Sequence, residues 1–249
     1  MSSNSEIRIV KDAPEIFRDA AAEFAELAAE CVRVRGRFCV ALSGGSTPKG
    51  LYALLAREGK TIPWKDIYFF WGDERHVPPD DPESNYRMAR ETLLSKVPVP
   101  PQNVFRVRSE ERDADTAAKQ YEEALIQFFK LKPGEFPRFD LVLLGLGPEG
   151  HTASLFPGSP ALAETSRLVM ANWVEKLKTN RITFTLPVLN AAAVTIFLVS
   201  GEEKAEIVRE VLEGNGNPLP AQMIHPENGR LIWLLDEAAA SKLSKPSRA

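Results

Sequence analysis

Three short segments concentrate polar and ionisable residues directly after apolar runs that are typical of β-strands. They are residues 43–47, 72–76 and 145–154. In a parallel α/β sheet the carboxyl ends of the strands share one edge, and ligands collect there. We therefore expect an imidazole, a guanidinium and a glycine-rich turn to meet at this edge, an arrangement suited to proton transfer beside a bound anion.

His151 is the predicted catalytic base. Glycines precede it and small polar residues follow it, so the sequence offers little apolar bulk to bury its ring. A neutral imidazole, with an ordinary pKa of about 6.5, can accept a proton from water near neutral pH. Glu149 is the predicted catalytic partner that orients the ring. The spacing leaves Asp73 and Glu74 open as alternative supports for the base.

The glycine-rich segment 43–47 leads from a strand into a helix, which Thr47 is predicted to cap. Adjacent glycines let backbone N–H groups approach an anion, and a helix N-terminus adds about half a positive charge. The segment fits a sugar phosphate or an oxyanion, and it equally fits a plain strand-to-helix turn. Its candidate ligand-binding residues are Ser43, Gly44, Gly45, Ser46 and Thr47.

Three cationic side chains are candidates for holding a negatively charged ligand. Arg75 can contact a carbonyl oxygen or a phosphate, with a neighbouring carboxylate to orient it. Arg181 precedes an apolar–polar alternation, and Lys204 lies near a helix start, where a cation opposes the helix dipole. Each of them also fits a plain surface charge.

Several familiar sites are excluded by local sequence. Residues 145–150 match GxGxxG, but Pro157 and Gly158 interrupt the helix that a dinucleotide site needs. Residues 43–48 lack the Gly-Lys-Ser/Thr ending of a P-loop. The histidines and carboxylates show no metal-ligand spacing, so no metal site is predicted.

The elements that must position these residues alternate between strands and helices, which predicts an α/β fold with a mostly parallel twisted sheet and helices on both faces. The predicted strands are 6–10, 37–42, 67–71, 104–107, 139–144, 181–185, 193–200 and 231–235. The predicted helices are 14–34, one beginning at Thr47-Pro48, 85–94, 113–129 and 202–212.

Bulk composition describes an ordinary globular enzyme-sized chain. Its 249 residues show no repeat or linker, so one domain spanning 1–249 is expected, with a polar tail from about residue 241. A net charge of −3 argues against a nucleic-acid binder, and no run is long and apolar enough for a membrane helix. Cys31 and Cys39 match no CxxC pattern, and reduced thiols favour a cytoplasmic location.

These segments together resemble the 6-phosphogluconolactonase family of the glucosamine/galactosamine-6-phosphate isomerase superfamily. The matching stretches run in order across nearly the whole chain, and Gly150-His-Thr-Ala-Ser-Leu-Phe-Pro157 is the most specific of them. The family commonly has aspartate where this chain has Glu149. The other matches are Ala41-Leu-Ser-Gly-Gly-Ser-Thr-Pro48, Phe70-Trp-Gly-Asp-Glu-Arg75, Ser84-Asn-Tyr86, Arg181-Ile-Thr183, Gly201-Glu-Glu-Lys204 and Leu231-Ile-Trp-Leu-Leu-Asp236.

The resemblance implies a Rossmann-like sugar-phosphate isomerase fold, no cofactor, and hydrolysis of 6-phospho-D-glucono-1,5-lactone in the oxidative pentose phosphate pathway. It implies that His151 activates water, that Arg75 stabilises developing charge, and that the cations Arg181 and Lys204 contact the phosphate. Asp73 joins the 43–47 turn in binding the substrate. The implied partner is this small lactone alone, without nucleic acid or membrane, and the expected state is a monomer.

Two alternatives remain. A glucosamine-6-phosphate deaminase/isomerase would share the fold, but that family continues after its histidine with Ala-Phe-Asn-Glu-Pro, whereas residues 153–157 here read Ala-Ser-Leu-Phe-Pro without the acid. A non-catalytic sugar-phosphate sensor could keep the cations and the glycine turn. The presence of His151 favours catalysis over such a sensor.

Overall fold

The fold, taken from a computed structural model that describes residues 5–244, alternates strands and helices as the sequence predicts. No helix in this range is long and apolar enough to cross a membrane. The strands are β1 (Ser5–Val10), β2 (Phe38–Leu42), β3 (Ile67–Trp71), β4 (Asp73–Arg75), β5 (Leu141–Leu144), β6 (Val169–Val174), β7 (Thr179–Phe184), β8 (Val194–Val199) and β9 (Arg230–Asp236). The α-helices are α1 (Ala13–Arg35), α2 (Ser46–Glu58), α3 (Asn85–Ala89), α4 (Ala114–Phe129), α5 (Leu186–Asn190) and α6 (Ala205–Glu213).

Six strands form a wholly parallel sheet in the order β1-β9-β8-β5-β2-β3. Every residue of β2, β5 and β8 is buried, because helices cover both faces of a parallel sheet. Along β2 the side chains alternate between two hydrophobic cores, with Cys39 in one and Val40 in the other. The predicted fold class is confirmed.

Local capping explains where the long helix α1 begins and where it ends. Asp12 Oδ1 accepts a hydrogen bond from Glu15 N at 3.0 Å, which satisfies one of the free N–H groups of the first turn. At the other end Gly36 adopts a left-handed conformation and its N–H bonds Val32 O. The helix buries an apolar stripe that includes Phe24 against β2 and its neighbours.

A second, three-stranded antiparallel sheet in the order β4-β7-β6 was not predicted. Residues 73–75 are absent from the predicted strands, and this omission is wrong, since Asp73–Arg75 forms β4 and pairs with β7. Strand β6 was missed altogether. Strand β4 could not be predicted from the sequence, because its charged side chains break the apolar pattern and its pairing partner β7 lies far along the chain.

Two other predictions need correction. Residues 104–107 form no strand. Val104 makes a single β-bridge with Phe69, and the ring of Phe105 packs on Phe70 at a 4.8 Å centroid distance. Helix α2 begins at Ser46 with Gly45 as its N-cap, so Thr47 is not the cap. The predicted polar tail falls partly outside the described residues.

Candidate active site

A cavity of about 180 Å³ opens at the carboxyl edge of the parallel sheet. The loops after β2, β5 and β8 contribute to its wall together with β4 and α3. This is the sheet edge where ligands bind in open α/β folds. Nine of the eleven predicted site residues line it, namely Ser43, Gly44, Gly45, Ser46, Thr47, Asp73, Arg75, His151 and Lys204. Glu149 and Arg181 do not line it.

The turn between β2 and α2 presents hydrogen-bond donors to the cavity. Gly45 caps α2 with φ 108°, a positive value that favours glycine, and no side chain among residues 5–244 caps the helix. Within this described range the first N–H groups of α2 therefore remain free for an anion. Tyr52 Oη holds Ser43, the first residue of the turn, in place: it accepts a hydrogen bond from Ser43 N at 3.0 Å and donates one to Ser43 O at 2.8 Å.

A tight turn holds His151 in the cavity wall. Gly147 N donates to His151 O at 2.8 Å, and Gly150 turns the chain with φ 75°. A Cβ on Gly147 would overlap the imidazole, so only glycine leaves room for the ring in this position. The ring packs on Phe156 with a centroid distance of 4.2 Å. The turn therefore fixes both the place and the tilt of the imidazole.

Glu149 lies beside the His151 ring, with Oε2 at 3.1 Å from Nδ1. The angle is unfavourable for a hydrogen bond, and neither atom has an aligned partner among residues 5–244, so the contact is electrostatic and becomes an ion pair only when the ring is protonated. Burial lowers the pKa of His151, and the Glu149 charge opposes this shift without cancelling it. The ring is consequently neutral at neutral pH, and its Nε2 is left to face a ligand.

Two arginines lie side by side across the second sheet, because Arg75 on β4 pairs directly with Arg181 on β7. The Nε atoms of both are buried without a partner among the described residues. Burial, and then the neighbouring Arg75 charge, lower the pKa of Arg181. Such a pair of like charges is suited to an anion, which would relieve their repulsion. Arg75 lines the cavity, whereas Arg181 is buried and does not line it.

The two carboxylates of β4 are occupied by structural contacts. Asp73 Oδ2 accepts from Ser154 Oγ at 2.7 Å. Glu74 is fully buried, and its two oxygens accept from the backbone N–H groups of Arg75 and Asn85 and from residues 84 and 86. Burial raises the pKa of Glu74 despite these hydrogen bonds. Of the three carboxylates left open by the sequence, Glu149 is the one that contacts the imidazole.

Lys204 reaches the cavity from the loop after β8. Its Nζ donates to Leu146 O at 2.9 Å, which joins it to the turn that carries His151. Asp236, buried at the end of β9, accepts from Ser200 Oγ and from Gly201 N and so anchors the loop. The lysine lies in a 3₁₀ turn directly before α6 rather than inside that helix.

Sequence reasoning assigned no role to several residues of the cavity wall. Asn85 is the most informative of them, because it is a buried polar side chain on the wall. The Ser84-Asn-Tyr86 match was the one signal that could have pointed to it. The remaining unassigned wall residues are Pro48, Gly145, Leu146, Gly147, Ala153, Leu198, Val199 and Ser200.

The assembled groups can hold an anion and transfer a proton. A neutral imidazole faces free helix N–H groups and the cations Arg75 and Lys204 across one cavity. Within residues 5–244 there is no group of three or more His, Cys, Asp or Glu side chains placed to hold a metal ion. The roles assigned from the sequence remain predictions.

Comparison with known proteins identifies the family. The family model described as glucosamine-6-phosphate isomerases/6-phosphogluconolactonase matches residues 11–233. The 6-phosphogluconolactonase of Synechocystis sp. is 44% identical over 216 residues, covering 86% of this chain and 88% of that protein. The Nostoc sp. protein of the same name is 45% identical over 215 residues, with the same coverage. The structure of 6-phosphogluconolactonase from Trypanosoma cruzi superposes with a TM-score of 0.88 at 32% identity, covering 98% of each chain. The chain therefore belongs to the glucosamine-6-phosphate isomerase/6-phosphogluconolactonase family.

Proposed function

We propose that the chain is a hydrolase that opens 6-phospho-D-glucono-1,5-lactone to 6-phospho-D-gluconate in the oxidative pentose phosphate pathway. The observation that carries the proposal is the neutral imidazole of His151 facing a cationic, N–H-rich wall in one cavity. The relatives that share this name over most of the chain support the same reaction.

The reaction needs one base and one group that stabilises negative charge, because a lactone is already an activated ester. His151 Nε2 takes a proton from water as the water oxygen bonds to the lactone carbonyl carbon, and the carbonyl oxygen gains the negative charge. Arg75 stabilises that charge. The bond from the carbonyl carbon to the ring oxygen then breaks, and the imidazolium returns its proton to that oxygen.

Glu149 stabilises the imidazolium during this cycle. Its charge lies 3.1 Å from Nδ1, which raises the proton affinity of the ring just when a proton arrives. Burial works in the opposite direction and keeps the resting ring neutral. The two effects together give a base that is free in the ground state and supported after proton transfer.

The phosphate of the substrate carries roughly −1.5 to −2 charges, so it requires cations and free N–H groups. The N-terminus of α2 and Lys204 supply both on the cavity wall. Arg181 adds a buried positive charge beside Arg75. We assign the phosphate to this cationic side of the cavity.

The test is a direct lactone assay. Glucose 6-phosphate dehydrogenase generates the lactone, and its disappearance is followed with and without the chain against the spontaneous rate. We expect faster decay with the unaltered chain and decay close to the spontaneous rate with His151→Gln, which keeps a polar side chain of similar reach. Spontaneous decay with the unaltered chain would reject hydrolysis. Binding of 6-phosphogluconate without turnover would then indicate a sensor, and release of ammonia from glucosamine 6-phosphate would indicate a deaminase.

Further parts of the proposal concern organisation. We propose a single domain across residues 1–249, a monomer and a cytoplasmic location. Cys31 and Cys39 are both buried free thiols, which suits a reducing compartment. Limited proteolysis would test the single domain, light scattering would test the monomer, and imaging of a tagged chain would test the location.

A further inference from the structure

Asn85 is a buried polar residue of the cavity wall that the mechanism above does not use. It is 3% exposed and lines the cavity beside the glycine-rich turn. Its Nδ2 donates to Asp73 O at 3.0 Å and approaches Asp73 Oδ1 at 3.4 Å. Because the carbonyl oxygen can only accept, these contacts fix which end of the amide is nitrogen.

The other end of the amide has no donor. Asn85 Oδ1 accepts no hydrogen bond from residues 5–244, whereas Asn85 Nδ2 and the backbone N–H of Asn85 both donate one. It lies against Gly44, where a Cβ would collide with it. Asn85 is buried as a residue, yet Oδ1 is not one of the fully enclosed atoms that lack a partner, so this atom opens to the cavity and is available to a donor bound there.

The position of this acceptor is set before any ligand arrives. Glu74 Oε1 accepts from Asn85 N at 2.8 Å, and Glu74 Oε2 accepts from Tyr86 N at 2.8 Å. The start of α3 is thereby fixed to β4, the strand that carries Arg75. A pre-positioned acceptor recognises a donor with little further loss of conformational entropy.

The chemistry of the substrate limits which group can meet this acceptor. A phosphate near neutral pH, a lactone carbonyl and a ring oxygen all present acceptors, which Asn85 Oδ1 cannot bond. Only the hydroxyl groups of the sugar ring donate. We propose that Asn85 Oδ1 accepts a hydrogen bond from one ring hydroxyl and so selects the hydroxylated lactone over a deoxy analogue. This inference rests on the proposed lactone hydrolysis.

The experiment compares kcat/KM for the lactone and for its 2-, 3- and 4-deoxy counterparts, each prepared by oxidising the corresponding sugar 6-phosphate at C1. In the unaltered chain, one deoxy lactone should be poorer by about three- to tenfold, the usual effect of one neutral hydrogen bond. In Asn85→Ala, kcat/KM for the parent lactone should fall by a similar factor. That for the matching deoxy lactone should change less than twofold, so the preference disappears.

Asn103→Ala is the matched control. Asn103 is also buried, and its Nδ2 also donates to a backbone carbonyl, Lys65 O at 2.9 Å, but it lies outside the cavity. This variant should keep the full preference for the hydroxylated lactone. Equal losses on all four lactones in Asn85→Ala would overturn the inference and assign Asn85 a structural or water-binding role. Absence of turnover in the unaltered chain would instead reject the proposed function.

A direct measurement covers the case in which Asn85→Ala does not fold, as judged by circular dichroism. A crystal structure of the unaltered chain with 6-phosphogluconate should place a ligand hydroxyl about 2.7–3.0 Å from Asn85 Oδ1. A structure in which every ligand hydroxyl lies beyond hydrogen-bond distance of this atom would overturn the inference.

Discussion

Replacing Gly147 by alanine should disable the base without unfolding the protein. A Cβ at this position would lie 2.5 Å from His151 Nε2 and closer still to two other ring atoms, whereas ordinary contact begins at 3.4 Å. The imidazole must therefore retreat by about 1 Å, and a displacement of that size at a reacting group costs on the order of 10²-fold in rate. Gly147 does not have a positive φ, so alanine suits its backbone.

The assay measures kcat and KM for 6-phosphogluconolactone, together with the thermal midpoint. We expect kcat to fall about 10²-fold with a smaller change in KM, because the added Cβ collides with the imidazole itself, whereas the proposed phosphate contact Lys204 touches this turn only through Leu146 O. Gly216→Ala is the control: it makes the same chemical change at a glycine with no atom within 4 Å of the added Cβ. A kcat for Gly147→Ala within threefold of the unaltered chain would refute the placement of the imidazole as the base.

Four further predictions concern the same cavity. His151→Ala should lower kcat by about 10²–10⁴-fold, the usual contribution of a general base, as measured in single-turnover assays. Arg181→Ala should mainly raise KM, since phosphate binding is shared by ground and transition states; an unchanged KM in steady-state assays would place the phosphate at another cation. Because burial lowers the pKa of His151, the acid limb of kcat/KM should lie below the ordinary histidine value of about 6.5. Glu149→Gln removes a charge that raises this pKa, so the acid limb in a pH–rate profile should move to still lower pH.

The parallel sheet could be predicted because its strands carry their own signal. Strands β2, β5 and β8 are continuous apolar runs, and such runs are typical of strands buried on both faces. The segments that follow β2, β3 and β5 stood out in the sequence because polar residues interrupt the apolar runs abruptly. The meeting of these three segments at one edge then followed from the topology of parallel sheets rather than from any one motif.

The antiparallel sheet has no comparable apolar pattern in the sequence. It is the part of the site that the sequence alone could not predict. Strand β4 spans three charged residues, of which Glu74 is buried only because backbone donors surround it. Its pairing with β7 places Arg75 against Arg181, a contact that no local pattern encodes. Two guanidinium groups repel each other, and the charges of Asp73, Glu74 and Glu83 offset part of this repulsion before any ligand binds. The weak local sequence signal and the charge pair both fit the proposed site, in which Arg75 and Arg181 serve an anion rather than the stability of the sheet.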